Sequence, residues 1–97
     1  MIPKITHLQL LILVVLSKGE MSGFQLRNRL KELNIKSDGP KFYQMMKRLE
    51  VDLFISNSKK VYTVNEQIYH QNIYCITASG KNHMKIGLDF CNMIQKL

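Results

Sequence analysis

Residues 8 to 16 read Leu-Gln-Leu-Leu-Ile-Leu-Val-Val-Leu, a run that is apolar on nearly every side of a helix. Such a helix has no face to offer to water, so it belongs at the centre of whatever the chain builds. The run is far below the ~20 apolar residues that a membrane span needs. Thr6 stands where an N-cap is wanted, and Gly19, after Ser17-Lys18, suits a position just beyond the helix C-terminus.

The chain has 97 residues, enough for one domain. A domain of this size buries only about two-thirds of its unfolded surface, so its core is modest and gains from association. Cys75 and Cys91 sit in apolar-patterned segments with no disulfide or metal-site spacing, and are expected to be reduced core thiols of a cytoplasmic protein. The start Met1-Ile2-Pro3-Lys4 carries no signal-peptide cleavage pattern. His7, His70 and His83 stand far apart, no cysteine or carboxylate falls at ligand spacing with them, and no phosphate loop or nucleophile motif is present. The expectation is no enzyme, no metal and no cofactor.

A second helix is predicted from Ser22 as cap, with Phe24, Leu26, Leu30 and Leu33 on its inner face and Gln25, Arg27, Asn28, Arg29 and Lys31 elsewhere. Asn34 to Ser37 reads as a turn. A third helix opens at Asp38-Gly39-Pro40, where Asp38 or Gly39 caps and proline is tolerated in the first turn. Its buried stripe is Phe42, Met45, Met46 and Leu49, which leaves Lys41, Tyr43, Gln44, Lys47 and Arg48 outside or flanking.

From Phe54 to Ile76 β-formers replace helical spacing. The strand Val61 to Val64, a polar tip Asn65-Glu66-Gln67, and then Ile68-Tyr69 and Ile73 to Thr77 predict one hairpin. Thr77 caps a last helix running towards Leu97. At ~100° per residue Met84, Leu88 and Cys91 form one apolar stripe, and Ile86, Phe90, Met93 and Leu97 a second, with Gly87 and Ile94 between. An arc on the order of 200° exceeds the ~100° that one core uses. One stripe is therefore expected to dock on its own domain and the other on a second copy, with Gly87 permitting close approach.

Three helices, a hairpin and a helix, in that order, make a mainly α, α+β chain with the winged helix-turn-helix layout. Residues 1–77 would be the winged-helix domain and 78–97 a C-terminal dimerisation helix of the same unit. Its charge fits double-stranded DNA: the segment Ser22 to Lys60 carries nine lysines and arginines against four acids, in a chain of net charge +7 and pI near 9.6. The ~12 Å major groove admits one helix. In the third helix Lys41 has the reach for guanine O6 or N7, Gln44 one turn on has the amide fork that pairs with adenine, and Tyr43 suits a phosphate or a stacked base. Lys47, Arg48, Arg27, Lys36 and Ser37 complete the candidate contacts around it. On the hairpin, Lys59 and Lys60, with Tyr62, Tyr69 and His70 farther out, read either as a wing on the DNA backbone or minor groove or as a lysine-protected sheet edge.

Three segments resemble PadR-type transcriptional regulators. "LLILVVLSKGEMSGFQLRNRLKE" resembles their N-terminal signature, "FYQMMKRLE" their recognition-helix motif, and "YCITASGKNHM" the Tyr-x-Leu-Thr-x-x-Gly segment that closes the wing and opens the last helix. The matches are collinear and span nearly the whole chain. The resemblance implies a winged-helix repressor, dimeric through the last helix with help from the first, bound to a two-fold operator through Lys41, Tyr43, Gln44, Lys47 and the wing. The chain departs from the family pattern at Pro40 and Lys41, where glycine and threonine are usual, at Gln44 in place of proline, and at Leu53 in place of a glycine before the wing. A small-molecule effector stays open but no residue supports one. Two other readings share the fold: a protein-interaction adaptor, disfavoured by the polar outer face of the third helix, and a sequence-independent architectural DNA binder.

Overall fold

A computed structural model describes residues 6–36 and 39–96. The first helix, α1 (His7–Leu16), starts at a capping box: Thr6 Oγ1 accepts from the Gln9 N–H at 3.2 Å while Gln9 Oε1 accepts from the Thr6 N–H at 3.3 Å. Leu10, Ile12, Leu13, Val15 and Leu16 are buried, so α1 is the central helix its composition demands. The turn after it ends at Gly19, whose φ of 153° is open to glycine alone at little cost. Strand β1 (Met21–Ser22) follows, and Ser22 then caps α2 (Gly23–Glu32) through a second capping box with Gln25.

Helix α2 buries Leu26 and Leu30 on α1, but Phe24 is 72% exposed and Leu33 51%, unlike the inner face expected. Phe24 lies ~160° around the helix from Leu26, and Leu33 is the C-cap, past the last turn. The helix closes with Asn34 in the left-handed region (φ 61°), the Asn34 N–H bonded to the Lys31 carbonyl and the Ile35 N–H to that of Leu30. This is a Schellman motif, in which asparagine tolerates the backbone that glycine usually takes. Ser37 and Asp38 lie outside the described residues, as do Met1 to Ile5 and Leu97, so the expected cap at Asp38 does too.

Helix α3 (Gly39–Val51) begins where Gly39-Pro40 indicated and buries Phe42, Met46 and Leu49, with Met45 half-buried. Its end repeats the α2 motif: the Leu53 N–H donates to the Glu50 carbonyl and the Phe54 N–H to that of Leu49, both at 3.0 Å. Here the left-handed position, φ 65°, holds a leucine. The chain then enters a hairpin of β2 (Ile55–Val64) and β3 (Gln67–Ile76), paired over ten positions from Ile55↔Ile76 to Val64↔Gln67. The strands begin six residues earlier than the β-formers at Val61 suggested. The tip is two residues, not three: Asn65 and Glu66 have φ of 50° and 66°, as a type I′ turn requires, and Gln67 belongs to β3. β1 adds a third strand that the sequence did not announce, pairing Met21↔Tyr74 and Ser22↔Ile73, so the sheet order is β1-β3-β2.

Helix α4 (Ala78–Gln95) starts at Thr77, as expected. The Thr77 hydroxyl accepts from the Gly80 N–H at 3.0 Å and donates to the Leu53 carbonyl at 2.6 Å, while the Thr77 N–H donates to the Phe54 carbonyl at 3.1 Å. A Cβ on Gly80 would collide with that Phe54 carbonyl oxygen and lie 2.8 Å from Ile76 Cγ1. Gly87 is buried too, on a helix that packs along α1. The cysteines are not core thiols: Cys75 is exposed on β3 between buried Tyr74 and Ile76, and Cys91 is half-buried.

The two backbone positions make opposite predictions. Leu53→Gly relieves a left-handed leucine that is 71% exposed, and should raise unfolding stability by about 1 kcal/mol in denaturant titrations. Gly80→Ala forces a backbone carbonyl to move and should cost about 2–3 kcal/mol.

Candidate nucleic-acid interface

The buried arc of α3 leaves an opposite arc from which Lys41, Tyr43, Gln44, Lys47 and Arg48 all emerge exposed. At ~100° per residue Lys41, Gln44 and Arg48 fall within ~60° of one another and make a single stripe, with Lys47 beside Gln44. No acid lies on that stripe; Glu50 is half-buried on the other side. A planar amide is thus framed by cations along about two turns.

Tyr43 stands at the margin, about 100° from Gln44. Its ring packs edge-on against Phe42, centroids 5.1 Å apart at 80°, and its hydroxyl leans to the start of α2, where a Cβ on Gly23 would come within 3.3 Å of it. The same glycine makes room for Tyr74, whose buried hydroxyl is pushed above the usual phenol range first by desolvation and then by Tyr43 and Glu50. Gly23 was not among the sequence candidates; the only signal for it was its place after the Ser22 cap. Tyr43 is therefore held beside the start of α2 while remaining 43% exposed.

Arg27 is half-buried, its guanidinium carbon 5.9 Å from the centroid of the Phe42 ring. That contact ties α2 to the first turns of α3, a positioning role that charge counting does not reveal. Arg27 also lines an open groove of about 700 Å³ with Phe24, Asn28, Lys31, Asn34, Ile35 and Lys36, on the side from which α3 starts. Lys36 is exposed there; Ser37 is outside the described residues. Arg29, in contrast, is paired with Glu32 at 2.9 Å.

Lys59 and Lys60 are exposed midway along β2, opposite Asn72 and Gln71. Successive strand residues point to opposite faces, so the lysine pair does not act as one cluster. Beyond it Tyr62 pairs with Tyr69, whose hydroxyl donates to Gln67 Oε1 at 2.7 Å, and His70 lies across from Val61.

No family model matches the sequence, and neither does any curated protein. Solved structures do match. The chain superposes on Bacillus subtilis PadR, solved in complex with operator DNA, with a TM-score of 0.74 and 27% identity over 84% of this chain and 46% of that one. A PadR family transcription regulator from Clostridium difficile gives a TM-score of 0.82 at 20% identity, covering 94% of this chain and 93% of that chain. A PadR-like transcription factor from Bacteroides fragilis gives 0.74 at 17%, covering 92% and 84%. The chain spans less than half the length of the Bacillus subtilis protein. The architecture is thus a winged helix-turn-helix with one C-terminal helix. It is the PadR-type fold, the one the three sequence segments resemble.

If one face of the hairpin meets a DNA backbone, Lys59→Ala and Lys60→Ala should differ. Only one should flatten the dependence of log K on log salt, by about one. Binding isotherms at several salt concentrations measure it.

Proposed function

We propose that this protein is a sequence-specific DNA-binding transcriptional regulator, acting as a homodimeric repressor on a palindromic operator. The observation that carries the reading is the exposed stripe Lys41, Gln44 and Arg48 on α3, cationic, amide-bearing and free of acids. Lys41 and Gln44 near the leading end of the helix read bases, while Lys47, Arg48, Lys36, Ser37 and one wing lysine meet phosphates. Arg27 holds the reading helix at its angle. The operator complex of Bacillus subtilis PadR supports DNA as the ligand of this fold. None of this needs a cofactor, a catalytic group or a small-molecule effector. An adaptor reading is less well supported, because a protein-docking α3 would present aromatic and aliphatic anchors.

The dimer half of the reading rests on α4. Gly80 and Gly87 are buried, Met84 packs against the core, and Phe90 and Cys91 are half-buried. Ile86, Leu88, Met93 and Ile94 remain 40% exposed or more. These residues flank the docked stripe and supply the surface for a second copy, continuing from Phe90; Leu97 would extend it. Two copies related by a two-fold axis present two α3 helices to two half-sites of a palindrome. No described helix is long and apolar enough to cross a membrane; the cytoplasmic setting is part of the proposed reading.

Selection of bound duplexes from a random DNA library tests the reading; it should return one palindrome. On that site Lys41→Ala and Gln44→Ala should each cost about 1–3 kcal/mol and relax preference at a single position. A library that returns no motif, or a motif untouched by both variants, overturns base reading by α3. Ile86→Glu with Phe90→Glu should give monomers by sedimentation at tens of micromolar, with folding retained by circular dichroism.

A further inference from the structure

The outer face of α2 carries a stripe that neither the core nor the exposed arc of α3 uses. Phe24, Arg27, Asn28 and Lys31 fall at i, i+3, i+4 and i+7, within about 100° of one another. With Asn34 and Lys36 of the following turn they line the open groove of about 700 Å³. That volume lies inside the range of about 300–1,000 Å³ over which small-molecule sites fall. Three of these residues are cations, and among the described residues no acid lines the groove or pairs with any of the three. The ring of Phe24 stands at the N-terminal end of the stripe, 72% exposed.

What the groove attracts follows from its charges. Arg27 is half-buried, and its Nε is shut off from water without an acceptor in the protein. The groups around the guanidinium are the Phe42 ring, 5.9 Å away, and the backbone of Gly39, where an added Cβ would lie 3.9 Å from Nη1. A ring face offsets part of a positive charge but offers no strong acceptor, so a partly desolvated guanidinium gains most from an anion with several oxygens. Lys31 and Lys36, both exposed on the same groove, raise the charge such an anion can carry.

We propose that this groove binds a free nucleoside 5′-monophosphate, with the phosphate against Arg27, Lys31 and Lys36 and the base on the ring of Phe24. Three cations around one small groove match a dianion better than a single carboxylate, and the arginine fork takes two phosphate oxygens at once. Phe24 and Lys31 lie on one line of the helix, seven residues and ~10 Å apart. A nucleoside monophosphate bridges that spacing from base to phosphate, and a bare phosphate does not. Asn28, between them, has an amide that can both donate to and accept from sugar hydroxyls or a base edge. A DNA duplex is the poorer occupant, because its bases are stacked on one another and would leave Phe24 unused. The site lies apart from the Lys41, Gln44 and Arg48 stripe, and binding there does not depend on whether α3 reads DNA. Because Arg27 also abuts Phe42 and Gly39 in the first turn of α3, an occupied groove acts on the start of that helix.

Titration of the full chain, free of DNA, with adenosine 5′-monophosphate and guanosine 5′-monophosphate tests this by calorimetry and by amide NMR shifts. Both nucleotides should saturate at submillimolar concentration with shifts centred on α2, and should bind far more tightly than inorganic phosphate or adenosine alone. Phe24→Ala should weaken the nucleotides roughly tenfold and Phe24→Tyr should retain them, because stacking needs only a ring face. Lys31→Gln should weaken nucleotide and inorganic phosphate alike. Phe24 and Lys31 are exposed, so these variants keep the fold, which circular dichroism verifies. Absence of saturation, inorganic phosphate that binds as tightly as the nucleotides, or affinity unchanged in Phe24→Ala overturns the proposal. So does a Lys31→Gln variant that flattens the salt dependence of DNA binding in a protein that takes up no nucleotide, since the groove is then a track for the DNA backbone. Lys41→Ala should leave nucleotide affinity unchanged, which separates a failure of base reading by α3 from a failure of this site.

Discussion

The carbonyl group of Phe54 is the point on which the arrangement of α3, the wing and α4 depends. It accepts the Thr77 N–H, and the absence of a side chain on Gly80 is what lets α4 begin against it. One residue earlier the Leu53 carbonyl accepts the Thr77 hydroxyl, which at the same time caps α4 through the Gly80 N–H. The Phe54 ring completes the junction by stacking on His83, centroids 4.1 Å apart and nearly parallel. A backbone turn, a cap and a stacked pair thus fix where the outer face of α3 lies relative to the hairpin and to α4. The left-handed Leu53 is the cost of that geometry, because the chain must leave α3 and enter β2 without a spacer.

Much of this was legible because helix starts are local. Thr6, Ser22 and Thr77 each announce themselves within four residues, and all three serve as caps in the structure. The α3 stripe was legible for the same reason, since a 3.6-residue period needs only one element to be read. The wing base was not. Ile55-Ser56-Asn57-Ser58-Lys59-Lys60 has one buried apolar residue and is a strand because β3 pairs with it, a long-range condition that no local window contains. The two-residue β1 is of the same kind, and the Asn65-Glu66 tip lacks the glycine by which such turns are usually recognised.

At the candidate interface, composition marks a region but not the role of each charge. Arg27 and Lys41 count equally towards a net charge, yet one is drawn over Phe42 and the other stands free. Adjacent Lys59 and Lys60 look like a cluster in sequence and become opposite faces once the segment is a strand. Gly87 shows the same difficulty on α4: small residues permit close approach, but only the packing says whether the neighbour is the chain's own α1 or another molecule.

The distribution of polar groups separates what the fold needs from what it does not. A solvated helix face is most simply stabilised by interspersed charges of both signs, as Arg29 and Glu32 do on α2. The α3 stripe forgoes that: Lys41, Arg48 and neighbouring Lys47 repel one another mildly and gain nothing from the core below. On the proposed function, a partner outside the protomer offsets that repulsion. The DNA duplex of that proposal supplies dense negative charge along a groove wide enough for one helix.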